Sequence, residues 1–309
     1  MNQIAKPGLV TVVVNESSGA GRAGRKIGWI ARELRRRLAS SEVRVVRSKA
    51  YAHAEALMRG AALQARDGDA VIVVGGDGMA HLGVNACAGT EATLGIIPAG
   101  TGNDFARGVG VPTDLTRALD VIEQGYAHVV DLTRVSNLDH AERYVGAVVS
   151  TGYDARVNLK TNRARLRFGP LSYGYIALRE LAEFDPLKYR LRIDGVERRH
   201  EAMLVAVANT GLFGGGMQIA PDADPADGLL DVTIVHPVSR LTLLRLLPQL
   251  YSGKFVRHPA VERLLAHEVH IAGDGLFVMG DGEELGGVPV QISVAPGSLR
   301  IFVNGVAHG

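Results

Sequence analysis

Three glycine-rich loops, each directly following a short uncharged β-run, constrain this chain more than any other feature. The runs are Leu9–Val14, Ala70–Val74 and Leu94–Ile97. The first loop is Asn15-Glu16-Ser17-Ser18-Gly19-Ala20-Gly21-Arg22-Ala23-Gly24, the second Gly75-Gly76-Asp77-Gly78, and the third Pro98-Ala99-Gly100-Thr101-Gly102-Asn103-Asp104. Between the runs lie helical patterns. Ile27, Ile30, Ala31, Leu34 and Leu38 recur at helical spacing within 25–39. Further helices are expected at Ala52–Arg66, Met79–Ala88 and Leu115–Gln124, and a further strand at Val43–Arg47. Strands alternating with helices predict a parallel sheet covered on both faces. Ligands on such sheets sit at the carboxyl ends of the strands, where all three loops fall. Glycine lets a backbone approach phosphate oxygens, and a following helix offers N–H groups and a positive dipole end. None of the loops matches G-x-x-x-x-G-K-[ST], or G-x-G-x-x-G in context, so a nucleotide-phosphate site of another type is expected.

The pattern changes near residue 127. His128–Val135 and Arg143–Val149 flank an Asn137–His140 turn and read as a hairpin. Beyond one helical stretch at Ser172–Glu183, short strands follow at Lys188–Ile193, Ala202–Ala208, Leu229–His236, Glu268–Ile271, Gly275–Met279 and Val288–Val294. Asp194-Gly195 and Asp274-Gly275 are hairpin-turn dipeptides. Leu241–Leu250 is an amphipathic helix that Pro248 should interrupt. The expected organisation is an α/β domain over 1–127 and a second domain of antiparallel sheet over 128–297. A length of 309 residues suits two domains.

Composition excludes other classes. With 47% hydrophobic and 21% charged residues the chain is globular, and no run of about 18 apolar residues could span a membrane. The run Leu9–Val14 is too short for a signal peptide and leads into a polar loop, so a cytoplasmic location is expected. One cysteine, Cys87, permits no internal disulfide and no cysteine-based zinc cluster, and its place on an apolar helix face predicts a core residue. The histidines show no H-E-x-x-H or similar ligand spacing. Net charge is only +2, but basic residues cluster in 22–49 and at Lys160, Arg163, Arg165 and Arg167. The 34 basic residues are 28 Arg and 6 Lys, a bias that can reflect genome composition alone. These clusters could be solvated faces or could meet anionic lipid. Nucleic acid is not expected, because no aromatic stacking platform lies among them.

Gly75-Gly76-Asp77-Gly78 together with Pro98-Ala99-Gly100-Thr101-Gly102-Asn103-Asp104-Phe105-Ala106-Arg107 resembles the catalytic domain of the diacylglycerol kinase family, which includes the sphingosine and ceramide kinases. Asn15-x-x-Ser18-Gly19 is similar to that family's N-terminal nucleotide loop. Gly214-Gly215-Gly216-Met217-Gln218-Ile219-Ala220-Pro221, then Asp224-x-x-Asp227-Gly228-x-x-Asp231, resembles its second-domain signature, and Asp281-Gly282-Glu283 its late D-G-E. The tetrad Gly75–Gly78 alone is less specific, since NAD kinases and phosphofructokinases carry a similar one.

The resemblance implies a parallel α/β domain of the NAD kinase and diacylglycerol kinase type, a β-sandwich-like second domain, and ATP in an interdomain cleft. It also implies that a last segment, about 298–309, returns to the first domain. The reaction would transfer the γ-phosphoryl group of ATP, with Mg²⁺, to a lipid hydroxyl, diacylglycerol first. Nucleotide contacts would come from Asn15, Ser18, Gly19, Gly75, Gly76, Asp77, Gly78, Met79, Gly100, Thr101, Gly102, Asn103 and Asp104. Asp77 would support charge neutralisation or simply cap a turn. Asp281 would accept the hydroxyl proton, with Glu283 assisting, although Asp-Gly is also an ordinary hairpin turn. Asp224, Asp227 and the Leu229 carbonyl would hold a structural Mg²⁺, with Asp131 in its water network, or the acids form a solvated loop. Arg25, Arg163 and Arg165 would face anionic membrane, placing the enzyme at the inner face of the membrane. Relatives often dimerise, so a homodimer stays open.

The chain departs from the family pattern at three places. Met79 stands where the family has Thr, His81-Leu82 where it has Asn-Glu, and Glu16 where it has Pro. Met79 removes a hydroxyl that could bond phosphate, which predicts altered donor affinity. Asp77, Asn103, Asp104, Asp281 and Glu283 are all present, so turnover is expected. The alternatives are an NAD kinase-like or other small-molecule phosphotransferase, and a nucleotide-binding regulatory module without turnover.

Overall fold

Ala70–Gly75 (β4) is the middle strand of a parallel sheet, with every residue buried and no charge to desolvate. The computed structural model describes residues 2–3, 6–15, 22–137, 142–163 and 184–305. The chain forms two compact units, Met1–Leu132 with Ala295–Gly309, and Thr133–Val294.

In the first unit, β1 (Asn2–Gln3) pairs antiparallel with the start of β6 (Tyr126–Asn137). The parallel sheet holds β2 (Leu9–Asn15), β3 (Glu42–Ser48), β4, β5 (Thr93–Pro98) and the end of β19 (Val290–Phe302). Its order is β3-β2-β4-β5-β19. The connection from β2 to β3 runs one way and the connection from β3 to β4 returns past β2. The order therefore reverses between β2 and β4, and that crevice is where open α/β sheets bind ligands. Helices α1 (Arg22–Arg37), α2 (Tyr51–Leu63), α3 (Asp77–Cys87), α4 (Asp104–Gly108) and α5 (Leu115–Gln124) join the strands. Ile27, Ile30, Leu34 and Leu38 form the buried stripe of α1 and its following turn and pack on Val10, Val12, Ile72 and Val74. Burying each such side chain stabilises by roughly 1.5–3 kcal/mol. Asp114 caps α5 by accepting from the N–H groups of Thr116 and Arg117, and Gly125 closes it in left-handed conformation. Cys87 is fully buried, and burial pushes its thiol up to about 12.

The second unit is an antiparallel sandwich. One layer holds β10 (Val196–Ala202), β9 (Leu187–Ile193), β16 (Glu268–Ala272) and the start of β19. The other holds β15 (Val261–Ala266), β14 (Leu230–Val235), β11 (Leu204–Ala208), β8 (Val148–Gly152), β17 (Phe277–Gly280) and β18 (Glu283–Gly287). Strand β9 shows the period-2 logic. Tyr189, Leu191 and Ile193 enter the core with Val205, Val207 and Val232, while Lys188, Arg190 and Arg192 point away. Short strands β7 (Arg143–Val145), β12 (Leu212–Phe213) and β13 (Met217–Gln218), helix α6 (Tyr153–Arg163) and helix α7 (Arg240–Leu250) complete it.

Several expectations need correction. Strand Arg143–Val149 is two strands. Residues 143–145 pair with β6, and 148–152 join the other layer, because the Gly146 and Ala147 N–H groups bond a side chain and not a strand. Helix α6 was not anticipated. Asp194-Gly195 is a hairpin turn, but Asp274-Gly275 is not: β16 and β17 lie in different layers, so the dipeptide is a crossover. Strand Ala202–Ala208 begins later, with Met203 breaking it from β10. Helix α7 runs through Pro248, capped at its start by Ser239. Helix α3 begins two residues early, since Gly76 and not Gly78 is its extended cap. The expected helix at 172–183 lies outside the described residues.

Candidate active site

The second and third glycine-rich loops touch each other. The Ala99 N–H donates to the Gly75 carbonyl at 2.7 Å. A Cβ on Gly100 would lie 2.5 Å from the Gly76 Cα, so these two positions need glycine for backbone contact, whatever ligand they also serve. Asp77 locks the pair. Its carboxylate accepts the Asn103 N–H at 2.9 Å and the Asp104 N–H at 2.6 Å, at the start of α4. Asn103 caps that helix in left-handed conformation (φ 53°), and its Oδ1 accepts the Gly100 N–H. Asn103 and Asp104 are buried, while Thr101 is exposed at the loop tip. Asp77 therefore has the capping role that its position between glycines allowed, and it holds the two loops in one arrangement at the carboxyl end of the sheet.

Gly78 and Met79 lie in the first turn of α3, and the Met79 side chain is buried at 4% exposure. The Met79 thioether packs into the core, and its backbone N–H goes to the Gly76 carbonyl. His81 is buried one turn on, its Nε2 3.3 Å from Asn85 Nδ2. Both departures from the family pattern thus face inward. Asn15 ends β2; Ser18, Gly19 and Glu16 lie outside the described residues.

In the second unit, Asp281-Gly282 is the β17–β18 hairpin turn, with left-handed backbone at both residues (φ 50° and 84°). Its carboxylate does more than turn the chain. Oδ2 accepts the Gly146 N–H and Oδ1 the Ala147 N–H, both at 2.9 Å. The Ala147 carbonyl accepts the Asn209 N–H, and the Gly146 carbonyl accepts from Asn209 Nδ2. Asp281 is half-buried, and a carboxylate oxygen can accept more than one hydrogen bond. Glu283 opens β18 opposite Gly280. The Gly146–Ala147 segment and Asn209 were missed by sequence reasoning. A buried polar Asn209-Thr210 pair after the apolar strand Leu204–Ala208 was the available signal.

The acidic loop divides. Asp224 and Asp227 are exposed and each closes a local turn, accepting the Ala226 and Leu229 N–H groups respectively. Asp231 is buried and bonds Arg263, which also bonds Asp222. Burial raises the Asp231 carboxyl above its usual range, opposed by the Arg263 guanidinium. Carboxylate and carbonyl oxygens are the donors that Mg²⁺ takes, so Asp224, Asp227 and the Leu229 carbonyl are chemically suited to it. Asp131 is buried in the first unit and accepts the Gly297 N–H at 2.7 Å, pinning β6 to β19. Of the basic residues, the side chains of Arg25 and Arg163 and all of Arg165 lie outside the described residues.

An apolar cavity of about 70 Å³ opens within the second unit. Phe213, Met217, Ile219, Leu243, Leu246 and Phe255 line it, from β12, β13, α7 and the turn after α7. Asp154, at the start of α6, is among its walls and accepts hydrogen bonds from Ser150 Oγ (2.7 Å) and Asn158 Nδ2 (3.0 Å). On α7 the outward residues Leu241 and Leu244, with Tyr251 just after, are exposed beside the exposed Arg240, Arg245, Lys254 and Arg257. Among the described residues no helix is long and apolar enough to cross a membrane.

A family model, the diacylglycerol kinase catalytic domain, matches residues 9–135, and a second, the YegS C-terminal NAD kinase beta sandwich-like domain, matches 147–303. A diacylglycerol kinase of Mycobacterium tuberculosis is 38% identical over 96% of this chain and 95% of its own length. This chain belongs to the diacylglycerol kinase family. A protein of Stenotrophomonas maltophilia named "Probable lipid kinase YegS-like" is 28% identical over 76% of this chain and 79% of its own. The crystal structure of a diacylglycerol kinase from Bacillus anthracis str. Sterne shares the fold, with a TM-score of 0.74 at 21% identity over 98% of this chain and 99% of that chain. The chain is a lipid kinase, which implies a nucleotide donor and a lipid acceptor.

Proposed function

We propose that this diacylglycerol kinase-family enzyme transfers the γ-phosphoryl group of ATP to the hydroxyl of diacylglycerol, giving phosphatidic acid. The observation that carries the acceptor is the apolar cavity lined by Phe213, Met217, Leu243 and Leu246, which suits hydrocarbon and offers little to a dinucleotide. Phosphates of the donor are held by backbone N–H groups of the Gly75–Gly78 loop and of Thr101 and Gly102, with Asn15, Ser18 and Gly19, while Asn103 and Asp104, whose N–H groups bond Asp77, shape the loop. Asp77 keeps those loops in register. Asp281 aligns the acceptor hydroxyl and takes its proton as the new P–O bond forms, and Glu283 assists. A carboxylate suffices, because in a loose transition state the hydroxyl loses its proton late.

Asp224, Asp227 and the Leu229 carbonyl are the residues suited to a structural Mg²⁺, with Asp131 as a further polar group; a donor-bound Mg²⁺ would neutralise charge on the transferring phosphoryl. Exposed Leu241, Leu244 and Tyr251 with the basic side chains around them suit a peripheral contact with anionic membrane at its inner face. In this reading Arg25, Arg163 and Arg165 add charge to that contact, and each basic residue near the surface contributes about 1 kcal/mol.

The test is label transfer from γ-labelled ATP, with Mg²⁺, into mixed micelles carrying diacylglycerol, phosphatidylglycerol, ceramide or sphingosine, with NAD as a soluble competitor. Labelled phosphatidic acid is expected. Label in another lipid would correct the acceptor, and label in NAD alone would overturn the reading. ATP binding with no labelled product would point to a regulatory module.

A further inference from the structure

Among the described residues, three metal-ligating side chains converge at one place outside the catalytic machinery: His200, His236 and Glu262. They come from two strands of the second unit and the residue just after a third. His200 lies on β10, the edge of one sandwich layer, opposite Tyr189 of β9. Glu262 lies on β15, the edge of the other layer, opposite Ile234 of β14. His236 follows β14 directly, held by its N–H bond to the Ala260 carbonyl. The cluster therefore joins the two layers at their edges, where neither strand has a further neighbour among the described residues.

One ligand atom from each residue lies within 4.8 Å of the others. His236 Nε2 is 2.9 Å from Glu262 Oε2, and the His200 and His236 rings are 5.7 Å apart. The His200 Nε2 atom is buried and has no hydrogen-bond partner among the described residues. A buried imidazole nitrogen left unpaired is costly, and such a group calls for a ligand. Tetrahedral ligands about 2.0–2.2 Å from an ion lie roughly 3.4 Å apart, so adjustments of an ångström or so would bring all three onto one centre. The second oxygen, Glu262 Oε1, accepts from Arg198 at 3.3 Å, which orients the carboxylate as outer-shell partners of ligating groups do. The side chains of His236 and Glu262 are about one-third exposed (33% and 30%), leaving an approach for the ion and for a water in the fourth position.

We propose that His200 Nε2, His236 Nε2 and the Glu262 carboxylate form a binding site for a borderline divalent ion, Zn²⁺ by preference, that staples the two edges of the sandwich. Two imidazoles and one carboxylate select Zn²⁺ over Mg²⁺, which prefers oxygen ligands and dehydrates reluctantly. The site is independent of the phosphoryl-transfer reading, and its role is to hold β10 against β15.

The experiment uses the full chain, stripped with chelator, in buffer with Mg²⁺ present. One Zn²⁺ per chain is expected by calorimetric titration, with a rise in Tm of several degrees. Co²⁺ should give the visible absorption of a four- or five-coordinate N/O site. His200→Ala and Glu262→Gln should each abolish the Tm rise and the Co²⁺ band. Glu262→Gln keeps a hydrogen-bonding group beside His236, so it is the variant to read if His200→Ala folds poorly. Nitrogen-15 spectra of the wild-type imidazoles need no variant, and Zn²⁺ should shift the rings of His200 and His236 first. Zn²⁺ binding that survives both substitutions, ring shifts confined to other histidines, or no Zn²⁺ uptake would each overturn the proposal.

Discussion

Two Asp-Gly turns of the second unit share one shape and one local chemistry, yet only one resembles a catalytic motif. Asp194-Gly195 joins β9 to β10, and Asp281-Gly282 joins β17 to β18. Both have left-handed backbone at both residues, with φ of 44° and 83° in the first and 50° and 84° in the second. Each carboxylate collects two consecutive backbone N–H groups: His267 and Glu268 for Asp194, Gly146 and Ala147 for Asp281. The difference lies in what those groups belong to. His267 and Glu268 sit at the start of β16, so Asp194 ties one strand end to a hairpin. Gly146 and Ala147 are the link where the chain leaves β7 for β8, and Asn209 holds both of their carbonyls. Turn geometry and captured N–H groups do not mark a catalytic base, because the structural turn has them too. Asp77, with its two N–H groups from Asn103 and Asp104, follows the same rule in the first unit.

The largest expected effect separates the two turns. Asp281→Asn should lower kcat by about 10²–10⁴-fold, the usual contribution of general acid–base catalysis, with ATP binding nearly intact. Steady-state kinetics with equilibrium nucleotide binding would check it. If the variant's turnover stayed near wild type, the two turns would be alike in function as well as form. Leu250→Trp is next. Leu250 lines the apolar cavity and is only half-buried, so the added ring should fill the cavity without unfolding the protein. Both turns stay intact, and KM for the lipid should rise well over tenfold while ATP affinity holds. An unchanged KM would move the acceptor elsewhere.

Asp194→Asn should act on stability alone. An amide offers an N–H₂ where an acceptor is needed, which costs about 1–3 kcal/mol, or a few degrees in Tm, with turnover per folded molecule unchanged. Urea melts and specific activity measured together would show any catalytic share that this turn has. The smallest effect calibrates that stability axis. The Cys87 thiol, raised by burial from 9.0 to about 12, stays protonated when folded. The unfolded thiol ionises above pH 9, so this contribution is complete below pH 9 and is lost as pH climbs toward 12. The slope approaches about 1.4 kcal/mol per pH unit. Cys87→Ala should flatten the alkaline fall, seen in urea melts at pH 8 and 10.5. The cost of Asp194→Asn should be equal at both pH values, since the bonds it disturbs come from backbone N–H groups, which do not titrate there.

Much of this was legible without coordinates. The alternation of apolar runs and helical stripes up to Gln124 named the strands and helices of the parallel sheet to within a few residues, except the short α4 and the returning end of β19, because each run is bounded by glycine, proline or polar residues. The three loops were legible because clustered glycine directly after a buried strand marks a backbone that must turn sharply or meet another group closely. What was not legible depends on partners far along the chain. Arg143–Val149 reads as one strand until Asp281, more than 130 residues away, takes the N–H groups at its middle. Asp274-Gly275 reads as a hairpin until its two strands enter different layers. That the Met79 side chain turns inward is likewise set by packing that its own loop does not specify.

By itself, the sequence determined the parallel α/β unit, the β-rich unit after it, the nucleotide-type loops and the candidate acids. Those follow from local periodicity and from residue chemistry, which need no distant partner. Only the tertiary structure decided that Gly76 and Gly100 meet backbone to backbone, that Asp281 and Asp194 are chemical twins, and that an apolar cavity forms around α7. It also decided that His200, His236 and Glu262, spread over 63 positions with no motif between them, meet at the edges of two sheets. Strand order and layer assignment set those meetings, and neither is written in any local stretch of residues.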